Sequence, residues 1–115
     1  MARILIADTL AQQGIDMLAA QHEVTVRTGL SEDDLCAAVA DVEALVVRSQ
    51  TQVTEKVIAA APKLQIIARA GVGVDNVDVD AASKHGVIVV NAPFANTMST
   101  AEHAFGLMLA LARYI

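Results

Sequence analysis

Tryptophan is absent and only 3% of the residues are aromatic, namely Phe94, Phe105 and Tyr114. A base-stacking platform for single-stranded nucleic acid needs more aromatic surface than that. Basic residues are also scarce. Eight Lys and Arg against 13 Asp and Glu leave a net charge of -5, the wrong sign for a phosphate-backbone footprint, so nucleic acid is not an expected partner. The single cysteine, Cys36, cannot close an internal disulfide, and no basic n-region, apolar stretch and small-residue cleavage site open the chain. Both absences point to the cytoplasm. The longest apolar run, residues 104–112 with Gly106 inside it, falls far short of the roughly 20 residues of a membrane span. No membrane partner is expected either.

What is abundant is aliphatic. Hydrophobic residues make up 55% of the chain and charged residues 18%, which excludes disorder and implies a compact globule. With 115 residues one domain is expected rather than a self-contained two-domain enzyme. Short runs of Ile and Val alternate with segments of helical period, the pattern of βαβ units around a parallel sheet. Strands are expected at 3–7, 23–27, 44–48, 65–69 and 87–91, and helices near 10–21, 31–40, 54–61, 79–85 and from Ser99 onward. Ser31 and Thr54 are suited to cap helices, and Pro62 and Gly86 to stop them. Ser99, Thr100, Ala101 and Glu102 have capping-box spacing. The second strand alternates polar residues with Val24 and Val26, which suits a sheet edge, whereas the other four read as strands covered on both faces. The expected fold is α/β: a doubly wound, parallel, five-stranded sheet of flavodoxin-like type with strand order 2-1-3-4-5. The helix from Ser99 is apolar on every face over 104–112, so something outside these residues should cover it, and self-association through it is expected.

In such sheets ligands bind beyond the carboxyl ends of the strands. Two of the segments found there begin with arginine, Arg48 and Arg69. In an acidic chain, two guanidinium groups at one sheet edge suggest an anion, because the arginine fork matches carboxylate and phosphate. The alternative is that each snorkels to water or pairs with Asp8 or Asp75. Gly71, Val72 and Gly73 do not open a dinucleotide fingerprint, since G-x-G-x-x-G needs glycine where Asn76 stands. They suit either an anion nest with positive φ at Gly71 and Gly73 or a plain strand-to-helix turn, after which Asp78 or Asp80 caps the next helix. His22 and His85 lie beside loops with no metal-ligand spacing and read as surface histidines. His103 reads as a shielded or interface histidine, and Cys36 as a small core residue. Ser49 lacks His and Asp partners for a nucleophilic role. No metal site, general acid or general base emerges. A receiver-type signalling domain is excluded too, because the third strand ends in Arg48 and Ser49, the wrong charge for Mg²⁺.

Four segments together carry a resemblance: 45–49 (LVVRS), 69–77 (RAGVGVDNV), 86–93 (GVIVVNAP) and 99–102 (STAE). Along nearly its whole length the chain resembles the D-isomer-specific 2-hydroxyacid dehydrogenases. The resemblance implies two α/β domains flanking a cleft, the first for substrate and the second for NAD, with residues 1–98 belonging to the former and 99–115 forming the hinge helix toward the latter. Having both Arg48, with Ser49 beside it, and Arg69 resembles members whose small-molecule substrate is a phosphorylated 2-hydroxy acid. The resemblance further implies that Gly71, Val72 and Gly73 offer backbone N–H groups to the substrate carboxylate, that Val72 borders the nicotinamide, and that Asn96 approaches substrate. The family's catalytic residues and most of its NAD contacts belong to the other domain. The expectation is therefore a fragment inactive by itself, whose full-length parent is a homo-oligomeric NAD-dependent enzyme. The alternatives are a family member acting on lactate, glycerate or glyoxylate, and a stand-alone, non-catalytic anion-binding module.

Overall fold

Along the chain run β1 (Arg3–Ile6), α1 (Gln12–Ala19), β2 (Glu23–Val26), α2 (Glu32–Ala38), β3 (Ala44–Val47), α3 (Glu55–Ala59), β4 (Ile66–Arg69), α4 (Val79–Lys84) and β5 (Ile88–Asn91). This is a computed structural model, which describes residues 2–71, 73 and 75–91. The strands form a five-stranded sheet in the order β2-β1-β3-β4-β5, all parallel, as the alternation of aliphatic runs and helical segments predicts.

Side-chain alternation along each strand sorts the core into two layers. Leu5, Leu45, Val47 and Ile67 point to the face packed by Leu35, Val39, Val57, Ile58 and Ala82 from the α2, α3 and α4 side. Ile4, Ile6, Ala44, Val46, Ile66 and Ala68 point to the other face, where Leu18 of α1 joins them. All four residues of β3 are buried, as befits the middle strand of a sheet covered on both faces. Leu45 is wholly buried, and cutting it to alanine would cost about 2–5 kcal/mol through lost transfer energy and an unfilled cavity.

β2 is the expected edge, with Val26 48% exposed. β5 departs from expectation. It sits at the other margin as the order 2-1-3-4-5 expects, with one neighbouring strand among the described residues, but its apolar run suggests cover on both faces, whereas Ile88 remains 46% exposed. A strand at a sheet margin lacks the second neighbour that would shield its flank.

The helix boundaries follow local hydrogen bonding. The Ser31 hydroxyl accepts from the Asp34 N–H at 3.2 Å and the Thr54 hydroxyl from the Val57 N–H at 3.4 Å. Of the two candidates before α4, Asp78 is the cap, accepting from the Ala81 N–H at 3.0 Å. Gly86 follows α4 with φ +72°, a conformation that only glycine adopts without strain. No helix among the described residues is long and apolar enough to cross a membrane. The segment from Ser99, including the apolar stretch 104–112 and His103, lies outside the described residues.

Candidate functional site

The carboxyl edge of the sheet is organised by two buried polar side chains, Asp8 and Asn76. Asp8 follows β1. One carboxylate oxygen accepts the Arg48 N–H at 2.7 Å and the Thr51 N–H at 3.1 Å, and the other accepts the Thr51 hydroxyl at 2.5 Å. The carboxylate therefore shapes the backbone after β3 instead of meeting the Arg48 guanidinium. That guanidinium donates from Nη1 to the Thr9 carbonyl at 3.4 Å, and Ser49 beside it is exposed. A cleft of 460 Å³ opens nearby against Asp8, Glu32, Gln50 and Thr54. With two carboxylates in its wall it does not suit an anion.

Arg69 ends β4, opposite Val47 in the parallel register, so the two arginines leave adjacent strands one residue apart. The Arg69 guanidinium donates from Nε to Asn76 Oδ1 at 2.5 Å and from Nη1 to the Gly73 carbonyl at 2.5 Å. Two of its five N–H groups are thereby committed to neutral acceptors. Among the described residues no carboxylate pairs with Arg69, so pairing with Asp8 or Asp75 is not what holds it, and its charge is intact.

Asn76 completes the arrangement. Its Nδ2 donates to the carbonyls of Arg48 at 2.5 Å and Thr51 at 2.6 Å, while Oδ1 accepts from Arg69. Two carbonyls and one N–H around the amide admit a single orientation of its oxygen and nitrogen. A parallel bridge between Val53 and Val77, with the Val53 N–H on the Asn76 carbonyl at 2.8 Å, ties the loops after β3 and β4 together.

The glycines do something other than expected. Positive φ occurs among the described glycines at Gly29 and Gly86, so Gly71 does not take the positive φ expected of it. The Gly71 N–H instead bonds the Arg69 carbonyl at 3.0 Å, and Gly73 turns its carbonyl toward the guanidinium. Gly71 is needed for close approach, because a Cβ there would stand 2.7 Å from Arg69 Nη1. Val72 and Asn96 lie outside the described residues.

His22 also corrects its expectation as a surface residue. It is 5% exposed, and its Nδ1 accepts the Ala2 N–H at 3.0 Å, since the turn into β2 packs under the start of the chain. His85 is exposed at the end of α4, and Cys36 is partly buried against the core. Sequence reasoning overlooked the structural weight of Asp8, Thr51 and Asn76. The available signal was a carboxylate directly after an apolar strand and an amide between the glycine pair and Val77.

Residues 4–114 match the family described as D-isomer specific 2-hydroxyacid dehydrogenase, catalytic domain. Among curated relatives, the chain is 51% identical over 115 residues to the D-3-phosphoglycerate dehydrogenase of a Synechocystis species, covering 100% of the chain and 21% of that protein. It is 56% identical over 112 residues to the Mycobacterium tuberculosis protein of the same name, covering 97% and 21%. The chain thus spans about a fifth of the length of these relatives. Among solved structures, NAD+-bound 3-phosphoglycerate dehydrogenase from Entamoeba histolytica superposes with TM-score 0.73 at 29% identity, over 95% of this chain and 38% of that one. The PH0520 protein from Pyrococcus horikoshii shares the fold, with TM-score 0.80 at 23% identity over 100% and 34%.

Proposed function

The chain belongs to the D-isomer specific 2-hydroxyacid dehydrogenase family, and from that premise we propose that it is the substrate-binding part of an NAD-dependent D-3-phosphoglycerate dehydrogenase. The reaction is oxidation of 3-phosphoglycerate to 3-phosphohydroxypyruvate, the first step of serine synthesis. The observation that carries this reading is the pair of arginines closing adjacent strands β3 and β4, with Arg69 held, among the described residues, by neutral partners. A substrate with a phosphate and a carboxylate has two anionic ends, and two guanidinium groups can meet them. The names of the relatives support the same substrate.

In this reading Arg48, with Ser49, and Arg69 hold the anionic ends, the loop of Gly71, Val72 and Gly73 borders the carboxylate, and Asn96 approaches the substrate from the loop before the last helix. Residues 1–98 form the substrate domain and 99–115 the hinge helix. The chemistry that NAD would supply is that of a hydride acceptor. The described residues do not fit its pyrophosphate: the position where a dinucleotide fingerprint needs glycine is Asn76, which is buried and fully engaged. The cofactor is therefore assigned to residues outside those described, with Val72 at its margin, and this chain's part is to bind and orient substrate. The parent is read as a cytoplasmic homo-oligomer, and self-association through 104–112 is assigned to this 115-residue chain by itself.

The test is kinetic, on the complete gene product. Replacing Arg69→Ala should lower kcat/KM for 3-phosphoglycerate roughly 10–100-fold, the range of a hydrogen-bonded charge lost from a site, with a much smaller effect on D-lactate or D-glycerate. Equal losses on phosphorylated and unphosphorylated substrates would refute a phosphate role for Arg69 and favour a family member acting on simpler acids.

A further inference from the structure

We propose that Asn76 is a positioning residue of the anion site: its one amide fixes the aim of the Arg69 guanidinium and ties it to the backbone that carries Arg48. This rests on the reading that Arg69 meets an anionic end of the substrate. Asn76 is 7% exposed, and its three side-chain hydrogen bonds all go to the arginine-bearing segments: Oδ1 accepts from Arg69 Nε, and Nδ2 donates to the Arg48 carbonyl and to the Thr51 carbonyl. Few side chains can do this. A carboxylate could accept from Arg69, but it would neutralise the charge and present oxygen to two carbonyls. An aliphatic residue would strand one N–H and two carbonyls. Glutamine carries the same groups on a stem one methylene too long for a packed site.

The consequence is preorganisation. Arginine has many rotamers, and one ordered before the ligand arrives loses less freedom on binding. Asn76 thus acts on affinity through Arg69 while touching no substrate.

A double-mutant cycle on the complete gene product separates this from a merely structural role. Asn76→Ala should raise KM for 3-phosphoglycerate roughly tenfold and leave kcat within about twofold. In an Arg69→Ala background the same change should add less than about twofold, because the side chain it positions is gone. Effects that multiply would overturn the proposal, as would an Asn76→Ala enzyme with unchanged KM beside an impaired Arg69→Ala enzyme. An Arg69→Ala enzyme with unchanged KM would overturn the substrate reading itself, and the proposal with it. Should Asn76→Ala fail to fold, the unmodified protein decides the matter. The Arg69 Nε–H should exchange with solvent at least about tenfold more slowly than that of exposed Arg27, and equal rates would overturn the proposal.

Discussion

Arg3 and Arg69 stand at opposite edges of one sheet and are treated in opposite ways. Arg3 opens β1 at the amino edge. Its Nε lies 3.4 Å from Glu23 and its Nη1 donates to Asp41 at 2.5 Å, all in side chains more than half exposed. Arg69 closes β4 at the carboxyl edge, half-buried, and meets an amide and a peptide carbonyl. At the amino edge positive charge is cancelled. Arg69 meets no carboxylate among the described residues, within a chain of net charge -5 that has carboxylates to spare. Exposed ion pairs contribute about 0–1 kcal/mol, so the amino edge gains little stability from its pairs. Arg69 forgoes a cheap neutralising partner for two neutral acceptors, which is the arrangement the proposed anion site calls for.

Breaking the frame of the carboxyl edge should have the largest effect. Asp8→Ala removes the acceptor of two backbone N–H groups and a hydroxyl, leaving partly buried donors unmatched, at a cost of about 2 kcal/mol. Urea denaturation reads it, and a loss under about 1 kcal/mol would show that Asp8 does not organise the loop. Gly71→Ala is subtler. The new Cβ would collide with Arg69 Nη1, the far end of a flexible side chain, so stability should stay within about 0.5 kcal/mol while kcat/KM of the complete enzyme for 3-phosphoglycerate falls roughly five- to tenfold. Unchanged kinetics would mean that the aim of the guanidinium is unimportant.

At the amino edge, Arg3→Ala should shift stability by less than about 1 kcal/mol and leave kcat/KM unaltered, and any kinetic loss resembling that of Arg69→Ala would erase the contrast between the edges. The smallest effect belongs to the solvent-exposed cluster where Lys56 meets Asp33 at 2.7 Å and Glu32 at 3.7 Å. The hydrogen bond from Lys56, and then its charge, hold the Asp33 carboxyl below its ordinary range, while Asp33 raises Lys56. A carboxyl lowered on folding stabilises above its unfolded pKa, and that contribution fades as pH falls through the folded value. In full solvent the effect on stability is slight. Lys56→Ala should nonetheless move the Asp33 titration upward in carboxyl-carbon NMR.

Much of the architecture is legible in the sequence because it rests on local patterning. Four aliphatic runs and one alternating run gave the strands and their order, and Ser31, Thr54 and Gly86 mark helix ends by chemistry that acts within a few residues. Arg48 and Arg69 are legible as an edge pair once the strands are placed. The support beneath them is not, because it is built across distance. Asp8 reaches Thr51 over 43 positions and Asn76 reaches Arg48 over 28, and no local window registers either contact. Gly71 shows the same limit. A glycine after a strand suggests positive φ, whereas here it makes room for a guanidinium folding back from two residues earlier. His22 likewise looks superficial until β2 is laid beside β1 and the chain start closes over it.

The most direct test of the contrast is a titration of this 115-residue chain with 3-phosphoglycerate, followed through the Nε–H resonances of its arginines. One guanidinium edge in open water gives affinities near millimolar, about -4 kcal/mol. The Arg69 signal should therefore move and saturate in that range while Arg3 stays fixed. Arg69 unmoved at tens of millimolar ligand, or Arg3 moving in parallel with it, would contradict the claim that the carboxyl edge keeps its positive charge for an anion.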